Sequence, residues 1–176
     1  MKYIAFLRGI NVSGQKIIKM ENLREMFSSF GLKNVTTYIQ SGNVLFETAK
    51  TNAQTLTKKI ESGLQKAFGY DVTVILRTVD EVAEIVKLNP FKNIQPDADV
   101  GLYVTFIAEE LNPKPKLPLF SKQKDVEIIG MNNCDAFCLA LPVKNGRYGF
   151  PNVFIEKEFR VLATTRNWTT VRKVVE

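Results

Sequence analysis

No histidine occurs in the 176 residues. Its absence removes the side chain that most often moves protons near neutral pH, and with it the usual serine-hydrolase triad and most zinc sites. Cysteine is scarce: Cys134 and Cys138 form a C-x3-C pair with no further cysteine to complete a metal site. Four apart on one strand, they would face the same way about 13 Å apart, beyond disulfide reach. The expectation is two inert packing residues in a reducing compartment. Long hydrophobic runs are missing as well, since nothing approaches the roughly 18 apolar residues that span a bilayer. The apolar start, Tyr3 to Leu7, meets Arg8 after five residues, with no small-residue cleavage site behind it. It reads as a buried strand and not as an export signal, so a cytoplasmic location without a membrane partner is expected.

What is present fits a globular chain: 45% hydrophobic and 24% charged residues exclude a disordered one. The net charge of +6 permits an anionic partner without naming it. Apolar residues run without alternation through the first strand, over 2–8, which predicts a central strand covered on both faces. Met20, Leu23, Met26, Phe27 and Phe30 recur at helical spacing, and Gly31 supplies a left-handed stop. Strands over 35–40 and 43–47 follow, joined by a tight turn at Ser41-Gly42. A second helix carries Leu56, Ile60 and Leu64 to Gly69, and a fourth strand covers 72–77.

This order predicts an α+β fold whose first part, residues 1–90, is a ferredoxin-like βαββαβ unit with strands one and three in the centre. Thr78-x-x-Glu81 is a capping box opening a third helix, which Asn89-Pro90 ends. A second, smaller α+β unit over 91–176 is expected to pack intimately against the sheet face that the first two helices leave open. Its elements read as a strand over 100–108, a weak helix over 120–124, a hairpin around Asn132-Asn133, and helices over 152–160 and 166–175, the last capped by Thr165.

Two polar, glycine-containing loops carry whatever chemistry there is. The first, Gly9-Ile10-Asn11-Val12-Ser13-Gly14-Gln15-Lys16, follows a strand and precedes a helix, where phosphate loops sit. It fails the G-x-x-x-x-G-K-[ST] pattern, because Lys16 comes one position late and Ile17 stands where a hydroxyl is needed. Two readings remain: a nest of backbone amides for an anion, or a turn whose polar residues tie it to its neighbours. The topology places Arg8, Asn11, Lys16, Ser41, Asn43 and Arg77 as neighbours at one end of the sheet, beside a helix N-terminus. Cations with amide and hydroxyl groups suit a carboxylate or a phosphate. In the run from Thr164 to Thr169, Arg166 is a further candidate clamp on the ligand. RNA-recognition motifs share the strand plan but stack bases on exposed strand aromatics, and Gly42-Asn43-Val44-Leu45-Phe46-Glu47 does not match their pattern.

The segments Leu7-Arg8-Gly9-Ile10-Asn11-Val12, Tyr38-Ile39-Gln40-Ser41-Gly42-Asn43-Val44 and Thr164-Thr165-Arg166-Asn167-Trp168 resemble the hallmarks of the bacterial domain-of-unknown-function 1697 family. The resemblance implies two α+β subdomains and no established activity. Family members usually read Gly-Gly-Lys-Asn where this chain has Ser13-Gly14-Gln15-Lys16. The expected function is binding of an anionic small molecule or nucleotide-like group through Arg8, Asn11, Lys16, Ser41, Asn43 and Arg166, without a cofactor or metal. The alternatives are a nucleic-acid binder acting through loops and charge, or an enzyme using the same pocket, for which no acidic residue stands out as a base.

Overall fold

A computed structural model of the chain describes residues 1–95, 97–143 and 146–176. The fold is α+β, with two antiparallel sheets and five helices among the described residues. The chain divides into two compact units, Met1–Val82 with Val175, and Ala83–Val174 with Glu176.

The first unit contains β1 (Lys2–Leu7), α1 (Met20–Ser29), β2 (Lys33–Tyr38), β3 (Asn43–Glu47), α2 (Ala53–Phe68) and β4 (Val74–Thr78). Its strand order is β2-β3-β1-β4, so β1 and β3 are central, as their apolar runs predict. Tyr3, Ala5 and Leu7 join Val44 and Phe46 under the helices, where Leu23 and Phe27 of α1 and Ile60 and Leu64 of α2 meet them. Ile4 and Phe6, of opposite parity on β1, are equally buried, which is why this strand shows no alternation. Local chemistry sets the helix ends. Asn52 caps α2 by accepting the Thr55 N–H at 3.0 Å, and Gly69 closes it with a left-handed φ of 79°. The Glu61 carboxylate of α2 accepts the N–H of Val74, pinning the start of edge strand β4 at 2.9 Å.

Helix α3 (Val79–Leu88) follows β4 without a break and runs across the division between the units. Its capping box is complete: Glu81 accepts the Thr78 N–H at 2.7 Å, and Thr78 Oγ1 accepts the Glu81 N–H at 3.2 Å.

The second unit adds β5 (Gly101–Ile107), β6 (Leu119–Phe120), β7 (Val126–Asn132), β8 (Asp135–Ala140), α4 (Pro151–Phe159), β9 (Ala163–Asn167) and α5 (Trp168–Lys173). Its order is β6-β7-β8-β5-β9, so β7-β8-β5-β9 repeats the first sheet's pattern with β6 added at the edge. The same device recurs, with Glu156 of α4 accepting the N–H of Ala163 at the start of edge strand β9. Helix α4 packs Ile155 onto Ile107, Ile128, Ala136, Cys138 and Ala163.

The second unit departs from the sequence expectations at several points. The last helix begins at Trp168, not Arg166, and its cap is Asn167, whose Oδ1 accepts the Thr170 N–H at 2.7 Å. Thr164, Thr165 and Arg166 are strand residues paired with Phe106, Thr105 and Val104. β-Branched threonines suit a pleated strand as well as a cap, and the partner strand decides between them. Residues 120–124 form no helix: Ser121 Oγ accepts the N–H groups of Asp125 and Val126, which closes a turn instead. The second hairpin turns at Asn133-Cys134, because Asn132 pairs with Asp135. Cys134 thus lies in the turn and Cys138 on a strand, so the two do not share one strand face. No helix among the described residues is long and apolar enough to cross a membrane.

Candidate functional site

Residues 8–16 leave β1 and fold back as a miniature hairpin. Asn11 N–H donates to Lys16 O at 3.2 Å, and Gln15 N–H to Val12 O at 2.9 Å. The two central residues, Ser13 and Gly14, both have positive φ, the signature of a type I′ turn. Gly9, Asn11 and Lys16 are also left-handed, giving five such residues within eight. A loop of this shape persists only where its surroundings hold it.

Three side chains do the holding. Asn11 accepts the Ile18 N–H at 2.8 Å and donates to Ile18 O at 3.0 Å and to Gln40 O at 2.8 Å, joining the loop to the β2–β3 connection. Lys16 Nζ reaches Asp71 O at 2.6 Å and stands 6.0 Å from the centre of the Tyr70 ring. Tyr70 Oη donates to Ile17 O at 3.0 Å. The Gly69-Tyr70-Asp71 clamp was not foreseen from sequence, where only the apolar face of α2 and its glycine stop carry a signal.

The β2–β3 connection is wider than the two-residue turn expected at Ser41-Gly42. Tyr38 pairs with Asn43, leaving Ile39, Gln40, Ser41 and Gly42 as the loop. Asn43 is fully buried and donates through Nδ2 to Tyr38 O and Ser41 Oγ, each at 3.0 Å, so it stitches the loop from inside. Ile39 is held at φ 50°, a conformation that a β-branched residue rarely takes. Backbone bonds fasten the end to the sheet: Leu7 N–H to Gly42 O at 2.8 Å, and Arg8 N–H to Thr73 O at 2.9 Å.

Arg8, Asn11, Lys16, Ser41 and Asn43 therefore belong to one connected end of the first sheet. Arg77 does not join them. β4 runs antiparallel to β1, with Leu7 opposite Val74 and Arg77 opposite Ile4, so the entrance of β4 and not its exit lies beside Arg8. Three residues of strand place Arg77 roughly 10 Å further along. Arg166 belongs to the second unit. It is buried on β9, donates to Thr164 Oγ1 at 2.8 Å and to Thr165 O at 2.9 Å, and burial pushes its guanidinium down to about 10.

Of the two cysteines, Cys138 is buried against Thr105 Oγ1 at 3.8 Å, and burial pushes its thiol up from 9.0 to about 12. With the folded value raised, its contribution to stability is complete below pH 9 and is lost as pH rises towards 12. Native labelling with a thiol reagent at pH 8 is expected to modify Cys134 in the hairpin turn and to reach Cys138 only after unfolding. Equal rates at both thiols would contradict this packing. No group of three or more metal-ligating side chains occurs among the described residues.

A solved structure titled "The structure of conserved bacterial protein SP0830 from Streptococcus pneumoniae" has a similar fold, with a TM-score of 0.69 at 20% sequence identity, covering 99% of this chain and 96% of that one. No curated protein matches the chain. A family model matches residues 1–137, a span that includes both loops just described and stops short of Thr164–Trp168. By that match the chain belongs to the family described as Protein of unknown function (DUF1697).

Proposed function

We propose that the protein is a cytoplasmic binding module for an anionic small molecule or nucleotide-like group, seated where the β1–α1 loop meets the β2–β3 connection. The order β2-β3-β1-β4 supports reading the supporting unit as ferredoxin-like. The observation that carries the proposal is the set of bonds by which Asn11 ties both loops together, each within 3.0 Å. A preformed site avoids much of the ordering cost that a mobile loop would incur on binding. Asn11, Ser41 and Asn43 act as its frame, and the charge comes from Arg8 and Lys16. An ammonium has three donors, and Lys16 uses one of them on Asp71 O, so exposed Lys16 can meet an anion without leaving its anchor.

The test is thermal shift and calorimetry with adenosine monophosphate, pyrophosphate and citrate at low and high salt. At least one anion is expected to stabilise the protein, and Lys16→Gln should weaken that binding about tenfold, with a lowered thermal midpoint of the free protein reporting separately the loss of its anchor to Asp71 O. Absence of stabilisation by every anion would refute the reading. Retention of single-stranded RNA that collapses with salt, alongside silence from small anions, would replace it with the nucleic-acid reading.

A further inference from the structure

The second unit repeats the strand order of the first, but one helix of the pattern is missing. Between β1 and β2 the chain builds α1, whereas between β5 and β7 it builds only β6 and a turn among the described residues. In the first unit α1 brings Leu23 and Phe27 to the core beside α2. In the second unit that same stretch of chain lines a cleft next to α4. The cleft has a volume of about 530 Å³ and is walled by the 121–126 turn, the segment leading into α4 and the exposed side of α4. That volume lies within the roughly 300–1,000 Å³ of small-molecule sites.

Two kinds of side chain dominate its walls. Tyr148, Phe150 and Phe154 supply aromatic faces, and Phe150, the extended residue just before α4, is 71% exposed. Lys122, Arg147 and Lys157 supply positive charge, and none of the three makes an ion pair or a side-chain hydrogen bond among the described residues. Two carboxylates also line the space, but Asp125 already accepts the Ser121 hydroxyl at 2.5 Å, which leaves Glu158 as the only one without such a partner there. The cations therefore outnumber the carboxylates. Gly149 fixes one wall: a Cβ there would stand 2.7 Å from the Asp125 carbonyl oxygen, so only glycine lets the segment bearing Tyr148 and Phe150 lie flat on the turn. Leu141 N–H to Asp125 O at 2.8 Å and Val143 N–H to Arg147 O at 3.0 Å hold the same segment from its other end.

We infer that this cleft is a second binding site, for a small planar aromatic ring that carries a carboxylate or phosphate. The ring stacks on Phe150 and Tyr148, and the acid group is met by Arg147 and Lys157. An arginine fork matches either acid group bidentately, and both cations gain strength where the ring excludes water. The inference is independent of the site at the β1–α1 loop, since every lining residue lies in the second unit.

The experiment titrates the full chain with adenosine monophosphate, 1-naphthoate, adenosine and inorganic phosphate, followed by two-dimensional amide NMR. Adenosine monophosphate or naphthoate is expected to shift the amides of 121–126 and 146–158, with adenosine and phosphate at least about tenfold weaker. Response to both acids marks any aryl acid as a ligand, and response to the nucleotide alone narrows the class to phosphates. Phe150→Ser, at an exposed position that leaves the core intact, and the double variant Arg147→Gln/Lys157→Gln should each weaken binding by about tenfold or more. Silence from both aromatic acids at millimolar concentration, equal binding of adenosine, or equal binding of phosphate would overturn the assignment.

Discussion

Alanine at position 42 is expected to destabilise the first unit by about 2–4 kcal/mol, from overpacking and a left-handed φ together. Gly42 has φ 74°, and a Cβ there would stand 2.8 Å from both Leu7 Cβ and Ile10 Cδ1. The Ile10 tip can rotate aside, but Leu7 Cβ is attached directly to a backbone paired on both sides in the sheet. The hairpin loop must therefore lift off β1, losing the bond from Leu7 N–H to Gly42 O and disturbing the Asn11–Gln40 contact. Urea denaturation followed by a probe in the first unit measures the effect. A loss below about 1 kcal/mol would show that the loop end yields easily, contrary to the tied loops on which the proposed function rests.

Asn43→Ala is the second large effect, expected at about 2–4 kcal/mol. Asn43 is 0% exposed, and its amide donates to Tyr38 O and Ser41 Oγ, so truncation removes a donor from a half-buried carbonyl and a hydroxyl and opens a void. Asn43→Asp separates the two causes. It keeps the volume but removes the donors and buries a carboxyl group, whose pKa in the folded state must rise. That variant should therefore be least damaged in acid, with stability falling as pH climbs past the ordinary carboxylate range near 4. If Asn43→Asp were as stable as the wild type at neutral pH, Asn43 would not be the internal stitch that the geometry describes.

Periodicity, capping and strand composition made the first unit legible. Leu23, Phe27, Ile60 and Leu64 mark helix faces, and Thr78 with Glu81 marks a cap, because both signals depend on neighbours a few residues away. The unforeseen features depend on distant chain. Thr164 and Thr165 fit a helix cap in isolation and become a strand only because β5, some sixty residues earlier, offers an edge; Thr105 Oγ1 meets Thr165 Oγ1 there at 2.8 Å. The turn at Ser121 competes with a short helix through a single hydroxyl that no spacing rule weighs. At the candidate site the donors were visible as Asn11 and Lys16, but their acceptors are the carbonyls of Gln40, Ile18 and Asp71, which every residue type carries. The aromatic and cationic walls of the cleft beside α4 are scattered over 121–158 and gather only through the sheet.

The bond from Asn11 to the backbone of Gln40 also bears on how this protein can drift over time. Because the partner is a carbonyl, position 40 is free to exchange its side chain without consequence for the contact, while position 11 is held to an amide that both donates and accepts. What the contact does fix is chain length. One residue inserted or deleted between Tyr38 and Asn43 would carry the carbonyl out of reach. Substitutions should therefore be tolerated at position 40, and indels should be excluded from the whole loop, so that there selection counts residues more strictly than it inspects them.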